Sequence, residues 1–271
     1  MPSRRQNRFF TQNAQNIDSL ARTFSGHASV IDVYKIRNWL SQFSDDHLDI
    51  GLKLLRNVLY YDYPAIVHEL KILHETLKQI NENRRTMLLS SVGAVGTSSG
   101  ALMHAYRLAN HLTRDQFDRL FASPSTLTNH SDRDDIMLVF VDDLVGTGNQ
   151  FIDAWMNLQG VINEENEVYV GVICATEGGI ERIERETDGR VNVVCNRTLG
   201  EDDKIFSNTN PNFTAQEKGI IRRYCIAAGS EPEGFGNCQL SLIFHYRAPN
   251  NVISILRSNN QRWKGLFVRD L

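Results

Sequence analysis

The chain has 271 residues, of which 41% are hydrophobic and 23% charged, so it can bury a sizeable core without disulfides or metals to support it. The formal net charge of −3 excludes a global positive field for gripping nucleic acid, although basic clusters near both ends leave nucleic acid open as a partner. The sequence shows no apolar stretch that could cross a bilayer and no signal-peptide core near its start, which predicts a cytoplasmic protein without membrane contact.

Residues 1–84 are predicted to form an N-terminal helical annex. Residues 1–30 are polar and mixed, which indicates a poorly ordered arm or a short first helix. After them, apolar residues recur at spacings of three and four, as in Val33, Ile36 and Leu40. This period is typical of amphipathic helices, and the annex is expected to contain two or three of them.

Residues 85–230 are predicted to form an α/β core in which short strands alternate with helices. A continuous apolar run at residues 136–141 is typical of a strand buried on both faces of a parallel sheet, and residues 168–175 form another buried-strand run. A short apolar run at residues 87–92 and the segment 191–195 are interpreted as two further strands. Helices are predicted to follow the first three of these strands in chain order, starting near Ala101, Asn149 and Gly179. This alternation predicts a doubly wound parallel sheet, whose ligands bind at the carboxyl ends of its strands.

The strongest chemical signal follows the second predicted strand of the core. That strand delivers Asp142 and Asp143 to the sheet edge, and a turn with Gly146, Thr147 and Gly148 leads into a helix. Glycine amides, a hydroxyl and a helix N-terminus suit an anion, whereas the carboxylates suit sugar hydroxyls or the water shell of a metal. A phosphate at one end and a diol at the other describe a ribose 5-phosphate. The alternatives are a generic strand-to-helix turn and a receiver-like acidic strand end.

An apolar run, two acidic residues, three variable positions and Thr-Gly together resemble the motif by which type I phosphoribosyltransferases bind phosphoribosyl pyrophosphate (PRPP). The resemblance implies that Asp142 and Asp143 hold the ribose hydroxyls, and they are also the candidates for holding Mg²⁺ through water. It further implies that the 5′-phosphate is bound by the loop residues Leu144, Val145, Gly146, Thr147 and Gly148.

A glycine-rich segment lies one strand–loop–helix unit upstream, where the same family binds the pyrophosphate of PRPP. Its candidate residues are Gly93, Ala94, Val95, Gly96, Thr97, Ser98 and Ser99, of which the last three offer hydroxyl donors. The segment also resembles a weak P-loop, but it lacks the lysine that would contact phosphates. A plain turn is the alternative.

The end of the chain carries a third resemblance. Pro249-Asn250-Asn251, Trp263 and the ending 266–269 are similar to the tail of a phosphoribosyltransferase-like group found in bacterial conflict systems. The resemblance implies a role in anti-phage defence, as an effector or accessory subunit with partner proteins from a defence operon. Residues 231–271 are expected to be a hood segment packed on the core, or else a face for homo-oligomers.

The sequence departs from the family in its basic residues. Residues 93–100 contain none, and the candidate mobile loop at 123–134 offers only Arg133, with His130 beside it. Three functions therefore stay open: a Mg²⁺-dependent transferase with an unknown acceptor, an inactive sensor of PRPP or a nucleotide, and an assembly subunit with a vestigial pocket. A further loop, Glu177-Gly178-Gly179, either bounds the site or is a simple strand-end turn.

Overall fold

The computed structural model describes residues 3–92, 98–229 and 231–267 of the protein. Its helices are α1 Arg4–Gln12, α2 Ala14–Thr23, α3 Val33–Leu40, α4 Leu48–Arg56, α5 Tyr63–Ile80, α6 Ser98–Ala109, α7 Arg114–Leu120, α8 Asn149–Leu158, α9 Glu177–Glu186, α10 Ala215–Ala228 and α11 Ser254–Arg257. Its strands are β1 Leu59–Tyr61, β2 Thr86–Ser91, β3 Ile136–Val145, β4 Glu167–Thr176, β5 Val191–Leu199 and β6 Leu242–Phe244. Within these described ranges, no helix is long and apolar enough to span a membrane.

The chain divides into two compact units. One is Pro64–Leu199, and the other combines Met1–Tyr63 with Gly200–Leu271. The first contains the sheet and is called the sheet unit below; the second is mostly helical and is called the helical unit.

The sheet unit is built on four parallel strands in the order β2-β3-β4-β5. One face of the sheet packs against α8 and α9, through buried residues such as Phe140, Phe151, Trp155 and Ile183. The other face is covered by α5, whose Leu73 lies so close to Gly171 that an added β-carbon there would be 3.5 Å from it. Helices therefore cover both faces, and the predicted parallel α/β core is confirmed.

The winding of the chain reverses direction at β2. After α6 and α7, Phe121 forms a parallel bridge with Leu89 of β2, and the Ala122 N–H donates to the Leu89 carbonyl. The chain then crosses to β3, which pairs with β2 along its other side. Such a reversal is the point at which open parallel sheets bind ligands, outside the carboxyl ends of their strands.

The helical unit brings the two ends of the chain together. Strands β1 and β6 pair in parallel, with Leu59 opposite Leu242. The indole N–H groups of Trp39 and Trp263 both donate to the Ile255 carbonyl, at 2.9 and 2.8 Å. The predicted annex and the predicted tail segment thus supply parts of one unit.

The structure corrects several element predictions in the helical unit. Residues 1–30 contain α1 and α2, and α1 begins with a capping box between Ser3 and Gln6. Leu59 follows Leu55 at the helical spacing of four, which predicts that it continues a helix, but it lies in β1 because three residues pair with β6 there. The sequence of the 250s and 260s resembles strand material, but these residues contain the four-residue helix α11.

The compact units do not follow the predicted boundaries at residues 84 and 230. Helix α5, predicted within the annex, groups with the sheet because its apolar face lies on β4. Residues 200–229 group with the helical unit, where Lys53 forms an ion pair with Glu217 of α10 at 2.8 Å.

We predict that protonation of His27 destabilises the helical unit in acid. Burial first, and then the positive neighbours His245 and Lys35, lower the pKa of His27 from 6.5 to about 4. Its Nδ1 accepts from the Ser29 N–H, so the neutral ring suits its surroundings. As the pH falls, the unfolded chain binds this proton near pH 6.5, whereas the folded chain binds it only near pH 4. The free energy of unfolding is therefore intact above pH 6.5 and decreases as the pH drops towards 4. The slope is at most about 1.4 kcal/mol per pH unit.

Urea unfolding followed at pH 7.5 and pH 5 measures this effect. The variant His27→Gln is expected to show a smaller loss of stability between the two pH values than the unchanged protein. Equal losses in both proteins would contradict the assignment to His27.

Candidate functional site

The two predicted acidic residues lie inside β3, near its carboxyl end. Strand pairing with β4 continues past them, through Leu144 and Val145. Asp142 is 7% exposed and Asp143 only 1%. Asp142 accepts a hydrogen bond from the Asp143 N–H at 2.9 Å and a long one from the Gln150 side chain at 3.4 Å. The first turn of α8 therefore helps to orient one of the two carboxylates.

The loop after β3 is shaped by a glycine. Gly148 has φ +76°, a left-handed conformation that favours glycine, and it forms the N-cap of α8. Gly148 has no side chain to cap this helix, so the first amides of α8 face the loop with no acceptor from the N-cap residue. Thr147 places its hydroxyl oxygen 3.4 Å from the Asn149 N–H. A helix N-terminus of this kind is suited to an anion.

The first turn of α9 holds this loop in place. The Thr176 hydroxyl donates to the Gly146 carbonyl at 2.5 Å and accepts from the Gly179 N–H at 3.0 Å. An added β-carbon on Gly179 would lie only 2.4 Å from the Gly146 oxygen. The start of α9 thus packs directly on the loop. Gly179 is one of the predicted residues of this region, whereas Thr176 was not predicted. A threonine followed by Glu-Gly-Gly is a helix-capping signal that could have identified it.

The predicted pyrophosphate loop is only partly described. Gly93, Ala94, Val95, Gly96 and Thr97 lie outside the described residues. Ser98 and Ser99 begin α6, directly after that segment. Helix α6 is itself fixed, because the Tyr106 hydroxyl contacts His74 Nδ1 of α5 at 2.7 Å. Burial raises the pKa of Tyr106 and lowers that of His74, which keeps both groups neutral.

Arg133, the basic residue expected in a mobile loop, lies at the opposite end of β3 from the acidic pair. Its guanidinium forms two hydrogen bonds with the Asp135 carboxylate and one with the Thr86 hydroxyl, at 2.7 to 2.8 Å. The segment before it contains a 3-10 helix, Pro124–His130. Since Asp142 lies seven residues beyond Asp135 along the strand, Arg133 is over 20 Å from the site at about 3.3 Å per residue.

The acidic pair suits one kind of metal better than others. No cluster of three or more His, Cys, Asp or Glu side chains is arranged to hold a metal among the residues that the structure describes. Mg²⁺ needs no such cluster, since it keeps several waters and binds one or two carboxylates together with phosphates of a ligand. Asp142 and Asp143 supply the one or two carboxylates that such a Mg²⁺ ion requires.

We predict that Gly179→Ala destabilises the sheet unit and distorts the loop. The new methyl group would meet the Gly146 carbonyl at 2.4 Å, and overpacking of this kind costs about 1–3 kcal/mol. Gly178→Ala is the matched control, because a β-carbon there meets nothing within 4 Å. Thermal unfolding of the two variants measures the difference. Equal melting temperatures would contradict the packing described here.

A search of curated proteins found no match to the sequence. A family model described as PRTase-CE matches residues 36–269, which includes β3, the loop after it and most of the helical unit. The match covers well over half of the chain, and the parallel sheet agrees with a phosphoribosyltransferase-like α/β domain. The chain therefore belongs to the PRTase-CE family.

Proposed function

We propose that the sheet unit binds PRPP, or a related ribose 5-phosphate nucleotide, at the carboxyl end of β3. The observation that carries the proposal is the order of groups along one short segment. Two buried carboxylates precede a glycine turn, and the turn opens a helix whose N-cap residue is a glycine. The carboxylates suit ribose hydroxyls, and the amides of residues 144–148 suit the 5′-phosphate.

The proposed reaction transfers the phosphoribosyl group to an acceptor. The bond between the anomeric carbon and the pyrophosphate oxygen breaks, and pyrophosphate leaves with the electron pair. A nucleophilic atom of the acceptor forms the new bond from the opposite face and loses its proton. Asp142 and Asp143 would fix the ribose during this step, and the loop would fix the phosphate, so that the carbon is held in position.

Mg²⁺ is the proposed cofactor. Asp142 and Asp143 would hold it through water together with oxygens of the ligand, where it neutralises charge on the diphosphate. This role is important because residues 93–100 contain no basic residue. Arg133 does not supply the missing charge, since it is bound to Asp135 at the amino end of β3.

The same shortage of positive charge favours a second candidate function. A protein that binds PRPP or a nucleotide without turnover needs no group to stabilise leaving pyrophosphate. The position of Arg133, at the opposite end of β3 from the acidic pair, is therefore compatible with a sensor. An assembly subunit with a vestigial pocket is the third candidate. Family membership supports a transferase-like domain in all three cases.

The tail motif supports a proposal about biological setting. We propose that the protein acts in anti-phage defence, as an effector or accessory subunit with partner proteins from the same operon. Phage plating on cells that carry the operon tests this role. Protection that is unchanged after deletion of the gene would overturn it.

We predict Mg²⁺-dependent binding of PRPP that requires the acidic pair. Isothermal titration calorimetry of the purified protein with PRPP, with and without Mg²⁺, measures it, and ribose 5-phosphate and ATP are the comparators. The double variant Asp142→Asn with Asp143→Asn is expected to lose at least tenfold in affinity, because it removes two charged acceptors for ribose hydroxyls and metal-bound water.

The control is Asp134→Asn with Asp135→Asn, an adjacent acidic pair at the other end of β3. It changes the net charge equally and should leave PRPP affinity unchanged. If wild type binds none of the three ligands, the binding proposal is overturned. Tight binding without pyrophosphate release for any acceptor would instead favour the sensor.

A further inference from the structure

The helical unit contains a pocket that the proposed PRPP site does not use. Its volume is about 350 Å³. One wall is α3 with the residue that follows its C-cap, and the other is the tail segment 264–266. The side chains that line it are those of Lys35, Asn38, Trp39, Gln42, Lys264 and Leu266, together with Gly265.

The two walls are fixed to each other by hydrogen bonds between the Gln42 side chain and the tail backbone. The Gln42 Nε2 donates to the Lys264 carbonyl at 2.9 Å, and the Gln42 Oε1 accepts from the Lys264 N–H at 2.8 Å. Gly265 lets the tail run against residues 256–258, since an added β-carbon would lie 2.7 Å from the Ser258 oxygen. The tail segment 264–266 is therefore held in place as a wall of the pocket before any ligand binds.

The floor of the pocket is apolar. Trp39 and Leu266 are 2% and 4% exposed. The Trp39 indole N–H is already bound to the Ile255 carbonyl, and its ring packs against Phe43 and Trp263, so only a small apolar part of the ring borders the pocket. This floor offers apolar atoms and no hydrogen-bond donor.

The rim of the pocket is positively charged. Lys35 and Lys264 are both exposed, and no acidic side chain is among the described residues that line the pocket. The Lys35 ammonium donates one hydrogen bond to the Ser29 carbonyl, which fixes its position and leaves further N–H donors. Asn38, which is exposed on α3, adds a polar side chain to this rim, whereas the Gln42 amide is already bonded to the Lys264 backbone.

The geometry points to a binding site for a small organic anion with an apolar body, such as an aryl or acyl carboxylate, sulfonate or phosphate. The positive charge of the rim favours an anion, and the apolar floor favours a ligand with an apolar body. The volume lies at the lower end of the range for small-molecule sites, and the hydrogen-bonded walls are rigid. An extended acidic peptide would need a longer groove than residues 35–42 and 264–266 provide.

The test uses 8-anilinonaphthalene-1-sulfonate, a dye with one sulfonate and an aromatic body that fluoresces when removed from water. We expect one dye molecule bound per chain, with affinity that falls as salt is raised. Lys35→Gln with Lys264→Gln should weaken binding by about fivefold to tenfold, because two favourable charges are lost. Asn38→Trp should also weaken it by filling the pocket with a bulky side chain.

The matched control is Lys71→Gln with Lys78→Gln, which removes two exposed lysines from α5 in the sheet unit. Melting temperatures of all variants identify any that are misfolded. Equal dye affinity in the two double-lysine variants would overturn the proposal, as would unchanged binding in a folded Asn38→Trp variant. Displacement of the dye by a leucine-containing glutamate peptide, but not by excess naphthalene sulfonate, would overturn the choice of a small ligand.

Discussion

The close approach of α9 to the loop after β3 is the constraint on which the candidate site depends. A single hydroxyl, that of Thr176, joins the Gly146 carbonyl to the first amides of α9. Gly179 is required beside it because no β-carbon fits against the same carbonyl. With the loop fixed from one side, Gly148 can take its left-handed conformation and direct the N-terminus of α8 towards the end of β3. The site is thus shaped by a neighbouring strand–helix unit as much as by its own motif.

Much of this architecture could be predicted from residue patterns. The apolar run before Asp142 predicted a strand buried on both faces, and the structure has β3 there with strands paired on both sides. Its glycine turn predicted the start of α8 at Asn149, which is where the helix begins. These predictions succeeded because a buried parallel strand and a glycine at a helix start both leave strong local signals.

Other features depend on contacts between residues that are far apart in the sequence, and local sequence patterns gave weaker signals for them. Leu59 continued a helical spacing, yet it pairs with Leu242 across more than 180 residues. Helix α10 was not predicted, although Thr214 and Glu217 form a capping box at its start. Arg133 was placed near the site by analogy, but the Asp135 carboxylate two residues away holds it at the other end of the strand. The pocket in the helical unit required the meeting of α3 and the tail, which no local pattern reveals.

The most direct measurement is amide hydrogen exchange with and without saturating PRPP and Mg²⁺. We expect the ligand to slow exchange in residues 144–150, where the loop amides and the first turn of α8 bind the 5′-phosphate. A smaller effect is expected at the start of α9, because Thr176 couples it to the loop. Protection confined to other segments, with unchanged exchange in residues 144–150 under saturating ligand, would contradict the assignment of this loop as the phosphate site.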